Sequence, residues 1–306
     1  MKKLLLSFTV LLSILLVGCG NKEVVEQPTD PIEDFKNFIR HDATVTSGTV
    51  EMNMRYKLNS EGLLVEMELP IKMDIAENGK QIYIAMKENA FLGAFEVYMV
   101  EEEMIPYVYI SSSLFDTIFG VTNDELYWIK TEVTEEDSSS IPDNLLPTDF
   151  TEEDIEKYIN RYITVDHIVY IGEENNIKHY QLIVNDALLS KLSEDFGFEF
   201  TASGIEFKID IYYDKTTLYP TRMSADFNEL IKSLIENLSD EELESLQASG
   251  ISLEDIVEFS LTFDFSFNNV VIEIPDEVKE NAITEEEYIE ILNDIYNQEN
   301  GLLTYQ

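Results

Sequence analysis

The stretch VEFSLTFDFSFNNVVIEIP, residues 257–275, sets Val257, Phe259, Leu261, Phe263, Phe265 and Phe267 on one side of an extended chain. Glu258, Ser260, Thr262, Asp264 and Ser266 fall on the other. A period of two is that of a half-buried β-strand, and a stripe with four phenylalanines has to be covered by something apolar. The strand runs on through Val270, Ile272 and Ile274 towards Pro275 and is expected to close a sheet.

The same period recurs outward from it. Val50, Met52, Met54, Tyr56 and Leu58 form one apolar set, and Met67, Leu69, Ile71, Met73 and Ile75 another, on either side of the turn Asn59-Ser60-Glu61-Gly62. Further strands are expected over 80–87, 94–101, 104–111, 125–133, 163–171, 177–185, 204–213 and 220–227. Helical spacing is confined to a few places. Ile32, Phe35, Phe38 and Ile39 predict a short helix, and TEEDIEKYINRY, starting at Thr151, a second. A third segment, 228–256, carries Ser239 and Glu242 at capping-box spacing and Gly250 as a stop. Thr284 and Glu287 have the same spacing at the head of a helix expected to reach about Asn297.

The fold class is therefore α+β and mainly antiparallel β: a large curved sheet, an open half-barrel, with a few helices packed on its concave side. Residues 32–306 are read as one domain, with the polar, proline-containing stretch 134–149 as the place where a division into two would fall.

The amino terminus reads differently. Lys2 and Lys3 precede an apolar run from Leu4 to Val17, and Gly18 stands just before Cys19, the single cysteine of the chain. Basic start, apolar run and small residue are the parts of a secretion signal, residues 1–18, too short to be a membrane-spanning helix. The end of the run, Leu16-Val17-Gly18-Cys19, resembles a bacterial lipobox, which implies diacylglycerol on the Cys19 thiol. Two or three acyl chains hold a protein to a membrane stably where one does not. Residues 19–31, with Pro28 and Pro31, read as the lipidated cysteine and its tether. The expected location is extracytoplasmic, held to the cell membrane by the lipid at Cys19.

Without Lys2 and Lys3 the chain has 18 basic residues against 61 acidic ones, a formal charge of −43. Such a surface repels nucleic acid, so no nucleic-acid partner is expected. Enzyme chemistry has little to stand on. His41, His167 and His179 are the only histidines, and counting across the turn GEENN sets His179 opposite about Tyr170, away from His167. Metal-ligand spacing, a G-x-S-x-G elbow, a P-loop and a dinucleotide fingerprint are absent from the sequence. No catalytic residue, metal or cofactor is expected. Tyr127 and Trp128 read as packing at a strand end.

The expected strands carry more apolar surface than the expected helices cover. Self-packing, a partner protein or an apolar ligand would each complete the burial. The methionines of the first strands suit a surface that fits variable apolar shapes. IDIYYDKTTLYPTRM, with its turn at Asp214-Lys215-Thr216 and Pro220 opening the next strand, and the ending NNVVIEIPDEV resemble the LolA/LolB-like and LppX-type lipoprotein superfamily. The resemblance implies a half-barrel with a cleft for a lipid or a lipid-modified molecule. The candidate cleft residues are Met52, Met54, Met67, Leu69, Met73, Ile84, Met86, Phe95, Tyr107, Phe207, Ile209, Phe259, Leu261, Phe263 and Phe265. The alternative is an envelope scaffold or protein-interaction lipoprotein with a filled core and no ligand.

Overall fold

A computed structural model describes residues 30–42, 47–60, 63–77, 80–87, 94–102, 105–113, 127–133, 152–196, 204–237 and 255–293. The leader, Cys19 and the tether up to residue 29 lie outside these residues, as do Ser239, Glu242 and Gly250.

Twelve strands form one open sheet: β1 Gly48–Ser60, β2 Leu63–Ala76, β3 Gln81–Met86, β4 Phe95–Glu102, β5 Ile105–Ser111, β6 Trp128–Glu132, β7 Ile168–Glu174, β8 Ile177–Asn185, β9 Glu206–Asp214, β10 Pro220–Asp226, β11 Ile256–Ser266 and β12 Ala282–Ile283. Their order is β12-β6-β5-β4-β3-β2-β1-β11-β10-β9-β8-β7. The registered pairs are antiparallel except β12 with β6, which is parallel. The helices are α1 Pro31–Asp42, α2 Glu152–Tyr162, α3 Asp186–Phe196, α4 Asn228–Asn237, α5 Asp276–Glu280 and α6, described over 285–293.

Two expectations are corrected. The phenylalanine strand does not close the sheet: β11 lies inside it, between β1 and β10, and β7 and β12 are the end strands. The strand also stops at Ser266. Asn268 and Asn269 are exposed and unpaired in any ladder, and Ile272 and Ile274 turn to cover a different part of the structure.

The described residues divide into two compact units, those among 1–45, 52–69 and 142–267 in the first and those among 46–51, 70–141 and 268–306 in the second. In the first unit, Asp30 accepts a hydrogen bond from the Ile32 amide at 2.9 Å and Pro31 opens α1, a pairing of cap and proline that starts helices well. Phe35 and Phe38 then reach the sheet: Phe38 stacks on Tyr213 at 4.4 Å between centroids, and Phe35 lies 4.8 Å from Tyr180. Lys178 is ion-paired with Asp34 beneath this helix, and Tyr180 donates its hydroxyl to the same carboxylate. Asn185 caps α3, its side chain accepting from the Leu188 amide at 3.1 Å, and Leu188, Leu189 and Leu192 are buried. The β7–β8 turn has positive φ at both Asn175 and Asn176, as two-residue hairpin turns demand. An irregularity between Tyr170 and Gly172 shifts the register, so His179 faces Gly172 and Tyr170 faces Tyr180.

In the second unit, the Thr284 hydroxyl accepts from the Glu287 amide at 3.2 Å. The Glu287 carboxylate accepts in turn from the Thr284 amide at 2.8 Å, the capping box that the sequence predicts.

Candidate functional site

The register of β2 to β6 lines up apolar side chains in rows across the second unit. Met73, Ile84, Val97, Ile110 and Ile129 make one row, and Ile75, Ile82, Met99, Val108 and Thr131 the next. Ile71, Met86 and Phe95 make a shorter third. Neighbouring strands lie about 4.8 Å apart, so the long rows extend about 19 Å from β2 to β6. Val97, Met86 and Ile129 are buried. Met73, Ile75, Ile82, Ile84, Val108 and Ile110 are only half-buried, and Met99 is 38% exposed. A cavity of about 240 Å³ opens at the β5–β6 end of the rows, lined by Val108, Ile110, Ile129, Thr131, Glu132, Val133 and Glu285.

The opposite face of the same strands is closed. Tyr98, Val100, Tyr109 and Trp128 form a core with Ile274 and Val278, and Tyr83, Tyr107 and Ile272 pack against it. This is the use that residues 270–278 have in place of a strand. Trp128 lies 5.7 Å from Tyr98 between ring centroids, the packing role expected of it, and Tyr127 is 6.2 Å from Tyr288. The polar groups of this face satisfy one another. Lys130 stands 3.8 Å above the Tyr107 ring and donates to Glu102 at 3.0 Å, and Tyr109 and Lys279 also reach Glu102. Burial pushes the Glu102 carboxyl up, but Lys130, Tyr109 and Lys279 outweigh it and hold the group below its ordinary range. Burial and the neighbouring Glu96 carboxylate push the Tyr83 phenol well up, and the two are hydrogen-bonded.

The structure sorts the candidate residues by place. In the second unit Met73, Ile84, Met86 and Phe95 share the half-covered face, whereas Tyr107 is on the other one, under Lys130. Tyr107 is therefore corrected from a cleft position to a core-edge position. In the first unit Phe207, Ile209, Leu261, Phe263 and Phe265 are between 2% and 8% exposed, packed in the core. Phe259 stacks on Tyr56 at 4.8 Å, and Phe227, just before α4, lies 5.3 Å from both Phe207 and Phe259. Met52 and Met54 alternate with Arg55 and share the side of Tyr56, and Met67 and Leu69 flank Glu68, which Arg55 binds. These four methionine and leucine side chains are half-buried.

Val108, Ile110, Ile82, Val97, Met99 and Ile129 were not among the candidates. In β5, IPYVYIS, both sides are apolar, with Tyr107 and Tyr109 on one and Val108 and Ile110 on the other. Period alone does not choose between them. The signal that does is β4, where Glu96 and Glu102 mark the face of Tyr98 as the one that accommodates polar groups.

A second cavity, about 460 Å³, lies in the first unit against the β7–β8 hairpin and is lined by Ile171, Gly172, Glu173, Glu174, Asn175, Ile177, His179 and Tyr212. His179 stacks on Tyr212 at 4.3 Å, and its Nε2 is 2.7 Å from the Asp210 carboxylate. His167 is buried just before β7, where its carbonyl accepts from the Ile183 amide, four residues along β8 from His179, so the two histidines do not meet. Among the described residues no group of three or more His, Cys, Asp or Glu is placed to hold a metal ion, and no helix is long and apolar enough to cross a membrane.

No protein-family model matches the chain. No curated protein matches it either. Among solved structures, one that is similar is a DUF1329 family protein from Desulfovibrio piger, at 16% identity, covering 81% of this chain and 97% of that one with a TM-score of 0.27. A likeness that slight transfers neither fold nor function. What defines the class of this protein is its own architecture, an open, almost wholly antiparallel sheet with a few helices.

Proposed function

We propose that the chain is a lipoprotein, anchored outside the cytoplasm through Cys19, that holds an apolar ligand, a lipid or lipid-modified molecule, on the half-covered β2–β6 face. One observation carries this reading: two five-strand rows with nine apolar side chains between them, one face of which is left half-exposed while the opposite face is sealed by its own core. Burial of apolar surface is worth about 25 cal/mol per Å², so a ligand laid along the rows gains affinity without any polar contact. The lipobox-like Leu16-Val17-Gly18-Cys19 and the resemblance to LolA/LppX-type lipoproteins support the same reading. The alternative, a scaffold with a filled core, draws on the packed phenylalanines of the first unit.

The test uses residues 20–306, which keep every described residue. Native mass spectrometry after bacterial expression and uptake of N-phenyl-1-naphthylamine, an uncharged apolar fluorophore, are measured on the native sequence and on Met99→Glu. Bound lipid or dye, lost in the variant, is expected. A clean apo mass together with no dye uptake leaves the scaffold reading in its place.

A further inference from the structure

We infer that the apolar part of the ligand is a single unbranched alkyl chain, lying across the strands in the valley between the two long rows, and that this valley measures its length. The inference rests on the apolar-ligand reading above and adds the shape of the ligand. Side chains within a row stand one strand spacing apart, about 4.8 Å, whereas the two rows are two residues apart along each strand, about 6.8 Å. The wider gap therefore runs across the strands. With apolar carbons in contact at about 3.5–4.0 Å, it seats one file of methylenes and has no width for methyl branches or fused rings.

The 240 Å³ cavity is a stretch of this valley. Ile110 and Ile129 of the first row line one side of it, and Val108 and Thr131 of the second row the other. The second row is open along its whole length, since Ile75, Ile82, Val108 and Thr131 are half-buried and Met99 is exposed. None of the positions in the two rows is charged, which matches an uncharged hydrocarbon from end to end. The ends are set as well. Val50, on the neighbouring β1, is buried, and beyond β6 the exposed Glu285, first residue of α6, puts a carboxylate in the lining. From β2 to β6 is about 19 Å, and an extended alkyl chain advances about 1.25 Å per carbon, from a bond of about 1.5 Å bent near the tetrahedral angle, so about sixteen carbons span the valley.

The experiment displaces N-phenyl-1-naphthylamine from residues 20–306 with straight-chain alkanoates of even length from ten to twenty carbons, each below its micelle concentration, and with phytanate, a sixteen-carbon chain bearing four methyl branches. Potency is expected to rise about two- to fourfold with each added methylene and to stop rising at about sixteen carbons. Phytanate is expected to be at least about tenfold weaker than hexadecanoate, because its extra methyls are forced against the rows. Ile110→Trp and Val108→Phe, which put an aromatic ring into the valley at β5, each bring the stopping point down by at least about four carbons, the share of the valley beyond that strand. Val169→Trp, at an exposed position of β7 in the other unit, leaves it where it was. Potency that stops rising by twelve carbons or still climbs at twenty, alkanoates that displace no dye at any length, phytanate equal to hexadecanoate, or a stopping point unmoved in a blocking variant that keeps the native circular dichroism spectrum overturns the inference, while dye binding leaves the apolar-ligand reading intact. Absence of dye binding overturns that reading first, and this inference with it.

Discussion

Removing the Asp34 carboxylate tests how α1 is held. In Asp34→Ala the Lys178 ammonium keeps its place under the helix but loses its counter-charge. The two side chains are only 10% and 9% exposed, and the Phe38 ring lies 5.4 Å from the nitrogen. Breaking a buried pair by taking one partner costs about 3–5 kcal/mol, and the hydrogen bond from Tyr180 adds about 1 kcal/mol. Against a total of about 5–15 kcal/mol for a domain, that is a large share. At about 2–4 °C per kcal/mol for a domain of this size, Tm falls by at least about 8 °C. Asp34→Leu with Lys178→Met, which replaces both charges by apolar groups of similar bulk, returns to within about 1 kcal/mol of the native chain. The assay is urea unfolding of residues 20–306 followed by far-UV circular dichroism, because the sole tryptophan, Trp128, reports on the other unit. A loss below about 1 kcal/mol in Asp34→Ala, or a double variant as unstable as the single, refutes the claim that a desolvated ion pair fixes this helix.

The remaining predictions concern other places. Thr284→Ala removes half of the capping box and lowers stability by about 0.5–2 kcal/mol, read from the urea midpoint, while Thr284→Ser keeps it. Phe263→Asp puts a charge in a core position 4% exposed and abolishes the folded circular dichroism spectrum, whereas Met99→Glu at 38% exposure leaves it unchanged. Burial, helped by the charge of Lys191, lowers the His167 pKa below its ordinary value, so the folded state resists protonation more than the unfolded one. Stability from this group is present above about pH 6.5 and is lost as pH falls below it towards the folded pKa; His167→Gln removes that dependence, and the histidine proton resonances give the folded pKa directly. Metabolic labelling with a radioactive fatty acid marks the native chain and not Cys19→Ala; label retained in the variant refutes the lipid anchor.

Much of the sheet was legible because period two does not depend on partners. The expected runs 177–185 and 220–227 emerge as β8 and β10 within a residue at their ends, and the hairpin turn at 172–176 lies where its asparagines put it. Helix α3 escaped. DALLSKLSEDF follows β8 without an interruption, and the available signal was local: Asn185 as a cap, then Leu188, Leu189 and Leu192 on one face. Strand order was not legible at all, since which strand lies beside β11 depends on contacts far apart in sequence. Ile274 shows the same limit. Its alternation with Ile272 is that of a strand, yet both side chains serve better as a cover for Tyr98 and Trp128. The candidate face was legible in β2 to β4, where polar residues mark one side, and was lost in β5, where both sides are apolar.

The interior place of β11 bears on when this protein can fold. β1 and β11 are neighbours in the sheet but are separated by 195 residues of chain. Neither unit is assembled from one continuous piece: the first needs β11 beside β1, and the second needs Ile274 and Val278 over strands that were synthesised much earlier. A chain emerging end first therefore stays without its central ladder until almost all of it is available, and pairings of this range are slow to close. Such a polypeptide is still threadable when its last residues are made. For a chain that residues 1–18 are proposed to send through a membrane, late folding is a condition of passage.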